Sequence, residues 1–320
     1  MSMYDKAFLS DEAKKLHVIR DTLEKVYRLQ DILRYFDNSE LLRDSLALKG
    51  GTAINLLFCD LPRLSVDLDL DFAKNLSRDE MMEERNIITN LIGKHMVANG
   101  YSLSLKTKTS HSLDSLVYDY QNAGGTKDNV KIEINYSLRE HVLPLKRIRM
   151  RSDILEGDFE VLSVSPEEIY AAKTVALLSR AAPRDLYDMN YMIRFNLLNE
   201  TQMEQYRKCV VFYLAVTSHI PPISIDLTMM NSISTHDIRT MLLPVCRDLD
   251  AFQLEDAKKT VGDFLLHYLS LNHDELLFLR EFRTGLFRPE LLFEDAETLK
   301  RVKTHPMALW KNAKSRDWER

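Results

Sequence analysis

The sequence predicts an α+β protein: a mixed β-sheet with flanking helices, followed by a mostly helical C-terminal part. Three observations carry this. Short alternating or apolar runs of strand length fall between residues 46 and 164. From Ser165 onward almost every segment has helical spacing. The change is marked by Ser165-Pro166-Glu167-Glu168, a capping box with proline at the first helical position. The expected organisation is residues 1–164 as an α/β domain and residues 165–320 as a helical domain sharing its cleft.

Each element has its own signal. Leu16, Ile19, Leu23, Val26 and Leu29 fall at helical spacing, which predicts one helix over about residues 11–36. Leu46–Leu48 reads as a short strand running into Gly50-Gly51. Thr52–Phe58 reads as one to two turns of helix, and Cys59–Leu64, with Pro62, as a turn. Val66–Phe72 alternates carboxylates with Leu68, Leu70 and Phe72, so it reads as a strand with Asp67, Asp69 and Asp71 on one face. Ser77-Arg78-Asp79-Glu80 opens a helix that stops near Asn99-Gly100. Tyr101–Thr109, Leu113–Tyr120 and Val130–Ser137 read as strands, with Ala123–Asn129 joining the last two. Arg147–Arg151 and Phe159–Val164 are two further short strands. Beyond Ser165 the expected loops are Ser218–Ser224 and Thr284–Pro289.

Composition excludes several classes. Of 320 residues, 45% are hydrophobic and 28% charged, the balance of a globular chain. The longest uncharged apolar run, Cys209–Val216, is too short to span a bilayer, and the N-terminus lacks the apolar centre of a signal peptide. No membrane association and a cytoplasmic location are expected. Cys59, Cys209 and Cys246 show no CxxC spacing and read as small buried hydrophobes in a reducing compartment. The net charge of −5 argues against a uniformly basic nucleic-acid binder. Two stretches are nonetheless basic: residues 139–151, with five basic residues against one acid, and 300–320, with seven against two. No Ser–His–Asp or Cys–His arrangement stands out.

The chemistry concentrates in Leu48–Phe72. Three carboxylates on one strand face repel one another, and a divalent cation would remove the repulsion. Glu133, on the Val130–Asn135 strand, supplies a third acid beside Asp67 and Asp69. Mg²⁺, or Mn²⁺ in its place, takes oxygen ligands and leaves room for substrate phosphates. A pair of such ions activates an attacking hydroxyl and neutralises a leaving phosphate. Gly50 and Gly51 let backbone N–H groups approach a polyphosphate, with Thr52 adding a hydroxyl. Ser65 and Arg63 precede the acids; Arg63 either clamps a phosphate or pairs with an aspartate. Asp71 lies about 7 Å further along than Asp69 and is assigned an outer or solvated position. Taken singly, a Gly-Gly pair or a D-x-D is commonly a turn or a solvated face. Their order along the chain is the specific signal.

LKGGTAINLLFCDLPRLSVDLDLDF resembles the motif of the nucleotidyltransferase superfamily: a glycine-rich turn, then an alternating acidic strand and a distant acid. Within it, KGGTA and the following R-x-S-x-D-x-D are similar to the AbiEii/AbiGii toxin family. Glu168, Lys173, Arg180 and Arg184-Asp185-Leu186-Tyr187-Asp188 resemble a later segment of that family. So do Phe287–Phe293 and His305–Lys311 near the C-terminus. Residues 195–280 show no such likeness. The resemblance implies a nucleotidyltransferase-like mixed sheet and transfer of a nucleoside monophosphate from an NTP to an acceptor hydroxyl. It implies a toxin of a toxin–antitoxin or abortive-infection module with a cognate antitoxin partner, and the tRNA 3′ end as acceptor. It assigns catalysis to Asp67, Asp69, Glu133, Lys173 and Asp188, and places Lys173 on the triphosphate. Arg184 and Asp188, four apart, otherwise read as an intrahelical ion pair. The basic stretches are the expected tRNA surface. The competing readings are transfer to a protein or small-molecule hydroxyl, and a non-catalytic nucleotide-sensing or antitoxin-binding module.

Overall fold

A computed structural model describes residues 4–59, 62–150, 158–247 and 252–315. The chain forms two compact units. The first comprises Met1–Arg139, Leu145–Val164 and Pro244–Asp248; the second comprises Glu140–Pro144, Ser165–Leu243 and Leu249–Arg320.

The first unit is built on one mixed sheet. Its strands are β1 (Leu46–Lys49), β2 (Asp67–Phe72), β3 (Ser102–Leu103), β4 (Lys108–Thr109), β5 (Leu113–Gln121), β6 (Lys127–Asn135), β7 (Lys146–Arg149) and β8 (Glu160–Ser163). They run in the order β3-β5-β6-β2-β1-β8-β7, with β4 also on β5. β2 is antiparallel to β1 and parallel to β6, so both its edges are hydrogen-bonded. One face carries Leu68, Leu70, Phe72, Val130, Ile132 and Ile134, each at most 1% exposed. That burial sets the register, because a one-residue slip would put the whole apolar set into water.

The helices of this unit are α1 (Lys6–Lys15), α2 (Arg20–Asn38), α3 (Glu40–Ser45), α4 (Gly50–Ala53) and α5 (Arg78–Ala98). The single helix expected over 11–36 is instead two. Helix α1 closes where His17 takes a left-handed φ of 53° and the Val18 N–H returns to the Ala13 carbonyl. Both helices bury apolar stripes, so the periodicity runs through the break unmarked. The Tyr101–Thr109 strand also splits, into β3 and β4, with a turn at Ser104–Thr107. Helix α5 carries the reciprocal capping box at Ser77 and Glu80. The Arg147–Arg151 expectation survives as β7; residues 151–157 lie outside the described residues, as do Asp60 and Leu61 of the Cys59–Leu64 turn.

The second unit is helical: α6 (Pro166–Arg180), α7 (Pro183–Arg194), α8 (Glu200–Thr217), α9 (Thr228–Asn231), α10 (Thr235–Asp237), α11 (Leu254–Tyr268), α12 (His273–Arg283), α13 (Ala296–Lys303) and α14 (Pro306–Ser315). The capping box expected at Ser165 is only half formed. Ser165 caps the Glu168 N–H, but the Glu168 carboxylate accepts from the Val142 and Leu143 N–H groups and from the Tyr213 hydroxyl, with His141 Nδ1 at 3.3 Å. Burial alone would raise its pKa; these partners outweigh burial and hold it below the usual carboxylate range. Glu168 therefore pins the 140–144 segment to α6 rather than finishing a cap.

Candidate active site

Strand register builds the site. β2 places Asp69 opposite Glu133 on β6 and opposite Lys49 on β1; Asp67 lies opposite Lys131, and Asp71 opposite Asn135. Side chains of registered partners point to the same face. Asp67, Asp69, Asp71, Lys131, Glu133 and Lys49 thus share the face opposite the apolar core.

The glycine pair lies against this row. Gly50 has φ +69°, and a Cβ there would sit 2.5 Å from Asp69 Oδ2, so only glycine admits the turn and the close approach together. A Cβ on Gly51 would meet the Arg63 guanidinium at 2.7 Å and Ser65 Oγ at 3.1 Å. The predicted helix after it begins as α4 and widens into a π-helix at Ile54–Phe58, closed by Cys59 N–H to the Ile54 carbonyl. Asn55 ties it back to the Gly51 carbonyl. The Thr52 hydroxyl donates to the Asp67 carbonyl and lies 2.9 Å from Ser65 Oγ. Thr52 is 1% exposed, so this hydroxyl braces the start of β2. Arg63 is equally buried, donating to the Leu64 carbonyl from within a bridge to Cys246. It forms part of the wall behind Gly51.

Electrostatics distinguish the acids. Asp69 has its pKa raised to about 6, first by desolvation; Lys49 opposes the rise and the charges of Asp67 and Glu133 add to it. Asp71 is not solvated: it is 2% exposed and pairs with Lys49 at 2.5 Å. Lys131, which sequence reasoning assigned no role, puts its Nζ 3.4 Å from Glu133 and 3.9 Å from Asp67. Its cross-strand placement depends on the parallel β2–β6 register, which no local pattern encodes. Among the described residues no three His, Cys, Asp or Glu side chains are placed so that they could hold a metal ion without moving. The donor chemistry still fits a hard divalent ion. Burial, with the charges of Asp67 and Glu133 adding to it, makes Asp69 resist ionisation, and carboxylate oxygens are what Mg²⁺ or Mn²⁺ takes.

The remaining predicted residues lie in the second unit. Lys173 is 8% exposed and ion-pairs with Asp185 at 3.0 Å and Asp188 at 2.7 Å; Arg180 reaches Asp185 at 3.1 Å. Asp188 is thus engaged by Lys173, while the Arg184 Nε donates to the Met241 carbonyl. Lys173, Asp185 and Asp188 are buried together, and the exposed Arg180 reaches Asp185 from outside.

A mixed sheet whose central strand turns adjacent acids to one face, with a glycine turn pressed on one of them, fits the nucleotidyltransferase arrangement that the sequence resemblance implied. Residues 31–287 match the family described as nucleotidyl transferase AbiEii toxin, type IV TA system, and the chain belongs to that family. It is a nucleotidyltransferase of the AbiEii toxin type. Among solved structures it is similar to MenT4, a nucleotidyltransferase toxin from Mycobacterium tuberculosis H37Rv. The TM-score is 0.62 at 15% identity, covering 96% of this chain and 99% of that one. No curated protein matches the sequence. Among the described residues no helix is long and apolar enough to cross a membrane.

Proposed function

We propose that this toxin transfers a nucleoside monophosphate from an NTP to an RNA 3′ hydroxyl, with tRNA as acceptor, in a reaction that depends on a divalent cation. The observation that carries the reading is the Asp67, Asp69 and Glu133 row with Gly50 pressed against Asp69. The acceptor oxygen attacks the α-phosphorus, a new P–O bond forms, the bond to the bridging oxygen breaks and pyrophosphate leaves. The hydroxyl proton departs by way of Glu133, which keeps 29% side-chain exposure and so a path to water. Asp67, Asp69 and Glu133 are the groups that hold Mg²⁺ or Mn²⁺; when bound, the ion neutralises charge on the triphosphate and lowers the cost of the attack. The glycine turn is where phosphate oxygens would approach the backbone, with Thr52, Ser65 and Arg63 packed behind it. The family likeness assigns Lys173 a phosphate-binding role; within the second unit it is held between Asp185 and Asp188. Its charge is positioned by two carboxylates rather than left on a free chain.

Each unit is proposed to offer RNA a basic surface of its own: exposed Lys146, Arg147 and Arg149 on β7 in the first, and exposed Lys300, Lys303 and Lys314 in the second. Lys311 does not belong to it, being 6% exposed. Expression without a cognate antitoxin is expected to arrest growth of the host cell.

The test uses each NTP labelled at the α-phosphate, with Mg²⁺ and total cellular RNA, followed by nuclease or protease digestion. Label that survives protease and runs with tRNA supports the reading. Label on protein, or on a small molecule, replaces the acceptor while leaving the site intact. Growth arrest that persists in Asp67→Ala supports a non-catalytic module.

A further inference from the structure

Four carboxylates, Asp67, Asp69, Asp71 and Glu133, share one sheet face with two lysines, Lys49 and Lys131. Lys49 is committed to buried Asp71. Lys131 stands differently. Its ammonium spans Asp67 and Glu133, the outer pair of the acid row, at 3.9 and 3.4 Å. Both separations exceed good hydrogen-bond length, so the lysine supplies charge without being locked in place. It keeps 32% side-chain exposure on a flexible four-carbon stem. With both lysines counted, the face retains two formal negative charges, the charge of one divalent cation.

We infer that Lys131 is a resident cation of the acid row, and that a divalent ion binds there by displacing it. This inference rests on the metal-dependent reading above. An ion held at the roughly 2.0–2.1 Å typical of Mg²⁺ to oxygen needs the lone pairs that face Lys131. An ion that took Asp67 and Glu133 as ligands would compete with the Lys131 ammonium for the same oxygens, so the lysine would have to move toward solvent. The exchange keeps the acid row assembled while no ion is bound. It also limits ion affinity until substrate phosphates add their own ligands.

The experiment measures Mn²⁺ binding to the full chain without NTP by calorimetry, and thermal melting in EDTA and in Mn²⁺. Variants are Lys131→Gln, Lys131→Arg and Asp69→Asn, each checked for fold by circular dichroism. Removing a unit charge so close to the ion is expected to tighten Mn²⁺ binding about tenfold in Lys131→Gln. Lys131→Arg should bind near the wild-type value. In EDTA, Lys131→Gln should melt below wild type, and Mn²⁺ should close the gap. Equal or weaker Mn²⁺ binding by Lys131→Gln overturns the exchange. If Asp69→Asn at the same time loses binding, the metal site itself stands. Mn²⁺ binding by none of the proteins overturns both. Unchanged Mn²⁺ affinity with a raised KM for NTP makes Lys131 a phosphate contact and likewise overturns it.

Discussion

Asp69→Asn separates stability from catalysis because the two effects have opposite sign. The Asp69 pKa is raised from 3.8 to about 6, chiefly by desolvation, with Asp67 and Glu133 adding to it. A group with a raised folded-state pKa stabilises the fold when protonated. That stability is complete below pH 3.8 and is lost as the pH rises through about 6. Between pH 5 and pH 8 the loss amounts to about 1.4 kcal/mol, trimmed to about 1 kcal/mol by the water that reaches a half-buried residue. For a unit of this size that is about 2–4 °C in Tm. In EDTA, wild type should therefore melt lower at pH 8 than at pH 5 by about that interval, beyond any slope shared with the variant. Asp69→Asn, nearly isosteric and uncharged, should lack this component and melt above wild type at pH 8. Nucleotidyl transfer by the same variant should fall about 10²–10³-fold. Differential scanning fluorimetry across pH reads the first effect and label transfer the second. A variant less stable than wild type at pH 8 in EDTA would refute the cost of burying the Asp69 charge.

Three further outcomes follow from the geometry. Gly50→Ala forces a left-handed alanine, about 1–2 kcal/mol, and drives its Cβ into Asp69 Oδ2, so chemical denaturation should show a modest loss while activity falls at least about tenfold. Unchanged activity would disconnect the turn from the site. Lys173→Met removes the buried cation shared by Asp185 and Asp188 and should cost about 3–5 kcal/mol in urea unfolding; a loss under 1 kcal/mol would mean the cluster is open to water. Glu168→Gln weakens the pin on residues 142–143 and should cost about 1–3 kcal/mol, with faster hydrogen exchange at the Val142 and Leu143 amides; unaltered exchange would contradict the pin.

The acid row was legible because strand alternation is a period of two, and Asp67 through Phe72 obeys it without exception. The turn was legible for a similar reason: Gly50-Gly51 punctuates an apolar strand. What pairs with what was not legible. The salt bridges of Lys131 and Lys49 depend on which strands lie beside β2 and in which direction, a long-range choice that local sequence does not encode. The π-helix at Ile54–Phe58 leaves no local mark either, since one extra residue per turn is invisible against a helical apolar pattern. Glu168 misled in a different way. Its spacing from Ser165 satisfies the capping signature, yet two N–H groups of the 140–144 segment claim the carboxylate. The pairing of Lys173 with two aspartates of α7 was not legible either, because it depends on how α7 packs on α6. Local patterns found the proposed reacting groups, and tertiary contacts decided their charge balance.

The most direct measurement is transfer of label from an α-labelled NTP to RNA by wild type and by Asp67→Asn, each at matched folded concentration with Mg²⁺. Asp67 keeps 35% side-chain exposure, so its loss should leave the fold intact. The expected result is robust labelling by wild type and a loss of about 10²–10³-fold in the variant with an unchanged melting curve. Equal labelling by a folded Asp67→Asn protein would contradict the assignment of nucleotidyl transfer to this acid row.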